Sequence, residues 1–134
     1  MFKINLYTND GNKTLEFNFQ FPGFAYIEEK DWVTISATGR TFTIKDLPFL
    51  AYDETIKSAI ILNDFMNLSR SQINEAYNNK GKILMIFSPS GEPIKMFYGE
   101  KMSLVKEIGS LNYFQVDGKD IYFYKMSYLI LTKN

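Results

Sequence analysis

The sequence predicts an α+β fold, mainly antiparallel β, on three observations. Apolar residues recur at period two along most of the chain, which places them on one face of a strand. Turn-forming pairs such as Asp10-Gly11 and Asp117-Gly118 separate those runs. One stretch, 63–80, shows helical spacing instead. Strands and helices do not alternate, so no parallel βαβ arrangement is expected. The expectation is eight or nine strands and one main helix near 63–80, within a single globular domain spanning 1–134.

The elements follow in order. Phe2, Ile4 and Leu6 alternate with Lys3 and Asn5, and Leu15, Phe17, Phe19 and Phe21 alternate with Glu16, Asn18 and Gln20. Asn9 to Asn12 lies between them, so the first 21 residues read as a hairpin. Pro22-Gly23 ends it. Trp32 to Ala37 and Thr41 to Lys45 form a second hairpin around Thr38-Gly39-Arg40, with Val33 and Ile35 facing Phe42 and Ile44 across it. Ile56 to Leu62 reads as a short extended piece.

In 63–80, Asn63 is placed to cap the helix, while Ser69 and Gln72 have capping-box spacing that allows a second start. Phe65, Ile73, Ala76 and Tyr77 share one face, and Gly81 suits the position past the end. Ile83 to Phe87 is apolar throughout, as for a strand covered on both faces. Ser88 to Pro93 is a turn, and the chain returns over Ile94 to Tyr98. Met102 to Ile108 fits either a strand or a helix. Tyr113 to Val116 and Ile121 to Tyr124 flank Asp117-Gly118, and Tyr128 to Thr132 is the last strand. No linker, low-complexity tract or internal repeat is evident.

Composition narrows the chemistry. The 134 residues contain no histidine and no cysteine, so the usual proton shuttle, thiol nucleophile and soft-metal ligands are missing. No disulfide can form, and with 12 Phe and 9 Tyr stability must come from packing. The longest apolar stretches are far short of the ~20 residues that span a bilayer. No signal peptide is seen, and an intracellular location, cytoplasmic or nuclear, is expected. Abundant Asn, Lys, Ile and Phe is the bias of an AT-rich genome, as in some viruses and parasites.

The formal net charge is zero, but residues 1–67 carry six basic and nine acidic groups, and residues 68–134 carry nine and six. Such an imbalance can orient the protein toward a partner.

Candidate chemistry is sparse. Asp10 with Glu28-Glu29-Lys30 loosely matches the carboxylate and lysine layout of metal-dependent nucleases. Asp10 also suits a hairpin turn, and Glu28 to Lys30 a solvated loop. Ser88 or Ser90 with Lys95 offers Ser-Lys chemistry, yet the surrounding Pro and Gly make the serines turn residues. No catalytic constellation, metal site or cofactor site is expected.

Aromatic residues offer more. Tyr113-Phe114 and Tyr122-Phe123-Tyr124 lie on adjacent strands, and alternation turns some of those rings away from the core. Beside Lys119 and Lys125 such rings suit a protein interface or base stacking. Cross-strand aromatic pairs also simply stabilise sheets. Tyr113, Tyr122, Tyr124 and Lys125 are the candidate interface residues.

One segment carries a family resemblance. Ser58 to Leu68 resembles the strand running into a helix in DNA sliding clamps, particularly checkpoint-type clamps. Ile83 to Phe87, the turn Ser88 to Pro93 and Ile94 to Phe97 resemble the hairpin that follows, and Asp46 to Phe49 the loop before. The resemblance is confined to residues 46–98. It implies a non-enzymatic ring that encircles DNA and tethers other proteins, with Arg70, Lys80 and Lys82 as phosphate contacts.

The expected function is therefore a non-catalytic protein-interaction module. It would inhibit or regulate a larger protein, or serve as a small subunit of a complex. The alternatives are a nucleic-acid-associated β-module, clamp-like or an aromatic platform, and an enzyme using Asp, Glu, Lys or Tyr. No membrane partner is expected, and the oligomeric state is open.

Overall fold

In the computed structural model the chain is described over residues 1–60 and 81–132, and there it is built of strands. They are β1 (Phe2–Tyr7), β2 (Lys13–Phe19), β3 (Gly23–Ile27), β4 (Trp32–Ala37), β5 (Arg40–Lys45), β6 (Phe49–Asp53) and β7 (Ser58–Ile60). The second part holds β8 (Lys82–Phe87), β9 (Pro93–Gly99), β10 (Met102–Ile108), β11 (Leu111–Val116), β12 (Lys119–Tyr124) and β13 (Ser127–Thr132). Among the described residues the only helical element is a 3-10 turn at Glu28–Lys30. Among the described residues the α+β expectation is thus corrected to nearly all β, with thirteen strands against an expected eight or nine. The helix expected at 63–80 lies outside the described residues.

Among the described residues all pairing is antiparallel, in three sheets of order β10-β11-β12-β6-β1-β2, β13-β8-β9-β7 and β3-β4-β5. The sheets stack as three layers with the six-stranded sheet in the middle. One face of that sheet, with Leu50, Tyr52, Phe114, Ile121 and Phe123, packs on Leu84, Ile86 and Phe97 of the four-stranded sheet. The other face, with Ile4, Leu6, Phe49, Ala51 and Tyr124, packs on Val33, Ile35 and Ile44 of the three-stranded sheet. A strand buried on both faces must be apolar at every position. This is why β6 reads Phe-Leu-Ala-Tyr and why β8 carries five apolar residues in a row. The both-faces reading of Ile83 to Phe87 holds: Leu84 and Ile86 face one layer, and Ile83 and Met85 a separate cluster with Met96.

The hairpins form as read. Val33 pairs with Ile44 and Ile35 with Phe42. Met102 to Ile108 resolves as a strand, with a bulge between Leu104 and Lys106.

The structure also shows an internal repeat that the sequence hides. β1 to β6 and β8 to β13 have the same pairing scheme. The last strand pairs with the first, the first with the second, and the third to fifth run in order. Equivalent hairpin strands lie 80 positions apart, and the fourth to sixth strand starts near 79. Both first hairpins carry a bulge at the same point, between Leu6 and Tyr7 and between Ile86 and Phe87. Both turns close alike: Thr8 N–H donates to Asn12 O at 2.9 Å and Ser88 N–H to Glu92 O at 2.8 Å. The left-handed residues recur as well, with Thr38 and Gly39 matching Asp117 and Gly118, and Asp46 (φ 58°) matching Lys125 (φ 56°). Across the first hairpin and the last three strands of each unit, identity reduces to Gly11/Gly91, Phe17/Phe97, Gly39/Gly118 and Leu50/Leu129. Backbone geometry is repeated while side chains are not.

The two units join through β12 and β6, in the register Ile121 to Tyr52, Tyr122 to Ala51, Phe123 to Leu50 and Tyr124 to Phe49.

Candidate functional site

The candidate interface residues divide between core, ledge and junction. Tyr124 is fully buried, so it is a core side chain and not a surface anchor. Its ring stacks on Phe49 at 5.6 Å, and its hydroxyl donates to the Asp31 carbonyl at 2.6 Å. Burial on both faces of β12 is the physical reason, since the three-stranded sheet covers the side that alternation turns outward. Lys125 is bound up in the same place. Its ammonium sits 2.9 Å from Asp31 and 2.6 Å from Asp46, two carboxylates of the first unit. Those contacts raise its pKa, hydrogen bonding to Asp46 being the largest cause.

Asp31 closes the network by accepting from the Tyr26 hydroxyl at 2.6 Å. Its carboxyl is held below the ordinary range, chiefly by that bond and then by Lys125. The consequence has a definite sign. A carboxylate with a lowered folded-state pKa stabilises the fold fully above the unfolded value near 3.9, and the contribution is lost as pH falls through the folded value. We expect the Tm difference between wild type and D31N to be constant above about pH 5 and to shrink below about pH 4. Calorimetry from acid to neutral pH checks it, and a pH-independent difference would remove the network.

Tyr113 and Tyr122 form the ledge. Their rings stack at 4.5 Å and 6°, and Tyr122 also stacks on Phe24 at 4.1 Å. Tyr113 donates to Asp120 at 2.6 Å, and burial with that bond raises its pKa. With Ile108 and Leu111 they line a shallow cleft of about 290 Å³. Both rings are half-buried and held by intramolecular partners, which favours the sheet-stabilising role of cross-strand aromatics.

A second cleft, of about 330 Å³, is lined by Lys3, Asn5, Lys13, Glu16, Tyr52 and Lys95 among others. Lys95 donates to the Tyr52 hydroxyl at 2.7 Å and lies over that ring, 4.5 Å from its centroid. Burial, then repulsion from Lys3, lowers its pKa. Tyr7 on the same wall is pushed up to about 12, chiefly by burial.

The catalytic alternatives find their residues employed locally. Asp10 accepts from Thr8 within the first turn, and Glu28 to Lys30 form the 3-10 turn. Ser88 is buried, with its hydroxyl 3.0 Å from Ser90 and accepting from the Glu92 N–H at 3.0 Å. No group of three or more acidic residues could hold a metal ion among the described residues. Of the phosphate contacts implied by the clamp resemblance, Lys82 starts β8, while Arg70 and Lys80 lie outside the described residues. Among the described residues no helix is long and apolar enough to cross a membrane.

The feature that sequence reasoning passed over is β13. Its sequence, Ser-Tyr-Leu-Ile-Leu-Thr, has no charge. Tyr128 and Ile130 are 37% and 40% exposed, and among the described residues no strand pairs with its outer edge. Of the other outer strands, β3 and β7 are also uncharged but span only five and three residues, β5 carries charge only at its two ends, Arg40 and Lys45, and β2 and β10 differ more. Their sequences carry Lys13 and Glu16, and Lys106 and Glu107, and β10 has its bulge. Charges and bulges are how proteins keep sheet edges from pairing with other chains. The signal available in the sequence was this lack of any charged residue from Ser127 to Thr132.

A family profile described as a domain of unknown function, DUF5052, matches residues 38–134. The chain belongs to this family. The DUF5052 match runs from the β4–β5 turn through the second unit, and so includes β5, the β12–β6 junction and β13. No curated protein and no solved structure matches the chain.

Proposed function

We propose that this DUF5052 protein acts by binding other protein chains, as a non-catalytic interaction subunit whose contact element is the outer edge of β13. The observation that carries this reading is an uncharged, apolar, half-exposed strand with no described partner on one side. An open sheet edge presents a row of unpaired N–H and C=O groups, and an incoming strand satisfies them while its side chains cover the apolar ones. The contact sought at Tyr113 and Tyr122 thereby moves to the β13 backbone and Ile130, since the Tyr128 ring, though 37% exposed, packs edge-on against Phe114 and Phe123.

The test is affinity capture from the cells of origin, after nuclease treatment, with wild type and I130K as bait. A lysine on the edge strand opposes pairing. Ile130 is partly exposed, so the substitution should change folding stability by no more than about 1 kcal/mol. The expected result is a protein partner that survives nuclease and is lost with I130K. Equal capture by both baits would overturn the edge reading.

A further inference from the structure

The repeat says what strand fits that edge. Within the chain, β12 of the second unit pairs with β6 of the first. The repeat equivalent of β12 is β5, and the equivalent of β6 is β13. Both equivalents are outermost strands with no described neighbour on their free sides. The molecule has thus used one half of each repeated edge, and among the described residues no strand pairs with the matching halves.

We propose that the free edge of β5 in one copy pairs antiparallel with the free edge of β13 in a second copy, in the register that joins β12 to β6. This rests on the edge-binding reading above and names its partner. Carrying the internal register across sets Phe42 opposite Leu131, Thr43 opposite Ile130, Ile44 opposite Leu129 and Lys45 opposite Tyr128 of the second copy. The sides agree. Phe42 and Ile44 belong to the inward face of their sheet, and Leu129 and Leu131 share one face of theirs. Thr43 and Lys45 are exposed, as are Tyr128 and Ile130.

Charge supports the same pairing. The residue after β5 is Asp46 and the residue after β12, leading into β13, is Lys125, both in the left-handed conformation. Within the chain these two already meet at 2.6 Å across the β12–β6 junction. The copied junction again sets Asp46 beside Lys125, and Asp46 keeps 69% of its side chain exposed. The half that supplies β5 carries three more acidic than basic groups, and the half that supplies β13 three more basic than acidic. Because the two surfaces differ, the contact is heterologous and copies join head to tail.

The cysteine-free chain gives a clean test. T43C and I130C are made separately in the full-length protein and mixed under mild oxidation. Directly opposed strand residues bring their Cα atoms within disulfide reach, so the mixture should yield about tenfold more linked dimer than either variant alone. T41C mixed with I130C, which is out of register, should link poorly. Sedimentation of wild type should show mass rising with concentration in multiples of 15.6 kDa. A wild type that stays monomeric at every concentration overturns the proposal, and so does linking by T43C or I130C alone as strong as in the mixture. If the cysteine mixture stays unlinked while I130K still loses a foreign partner in the capture experiment, self-pairing falls and the edge reading stands. If neither the mixture links nor I130K changes capture, both fall.

Discussion

Y124A is expected to destabilise the protein by about 3–5 kcal/mol, the range for removing a large buried aromatic side chain. That is a large part of the ~5–15 kcal/mol that holds a domain of this size together. Tyr124 is fully buried between layers, stacked on Phe49 and bonded to the Asp31 carbonyl. Its loss opens a cavity where the two repeat units meet. Y124F separates the ring from the hydroxyl. It keeps the packing and removes one hydrogen bond, so it should cost only about 1 kcal/mol. Denaturant melts of both variants decide the matter. If Y124A were within about 1 kcal/mol of wild type, the ring would not be core. The surface role would then return.

G109A is expected to cost about 2–4 kcal/mol, from two sources of different kind. Gly109 has φ of 55°, where any Cβ meets backbone strain. The added methyl would also lie 2.3 Å from the Tyr26 hydroxyl oxygen and 2.6 Å from its ring. Moving that ring breaks its bond to Asp31 and loosens the network that holds Lys125. G118A isolates the first source. Gly118 has φ of 79° and open space around the added carbon, so only the backbone strain of roughly 1 kcal/mol applies. Combining G109A with Y26A removes the clash, and the double variant should cost less than the sum of the singles. Equal destabilisation by G109A and G118A would show that Tyr26 does not press on the turn.

Both predictions concern the junction, and the junction is where sequence reasoning fell short. Strand alternation, which puts some rings off the core, groups Tyr113, Tyr122 and Tyr124 as one interface. Alternation names two faces and cannot say whether the second is wet. For Tyr124 the three-stranded sheet covers it. For Tyr122 the covering group is Phe24, which lies almost a hundred residues earlier in the chain. Lys125, expected among the interface residues, is instead held by Asp31 and Asp46 of the other unit.

The repeat is hidden in the sequence for a related reason. What recurs is the placement of bulges, tight turns and left-handed residues, and these tolerate Asp46 at one site and Lys125 at its equivalent. Few side chains recur beyond Gly11/Gly91, Phe17/Phe97, Gly39/Gly118 and Leu50/Leu129.

Local chemistry alone is enough for the hairpins β1–β2, β4–β5, β8–β9 and β11–β12, but not for β3 and β6, which the sequence does not mark as strands. Period-two runs, the Gly11, Gly39, Gly91 and Gly118 turns and the cross-strand pairing of Val33 and Ile35 with Ile44 and Phe42 are short-range consequences of residue type. Such features depend on neighbours a few positions apart, which a sequence displays directly. The pairing of β12 with β6, the burial of the six-stranded sheet on both faces and the edges of β5 and β13, unpaired among the described residues, belong to the tertiary structure. They join residues some seventy positions apart, and many other strand pairs would satisfy the same alternation. Only packing three layers against one another selects among them.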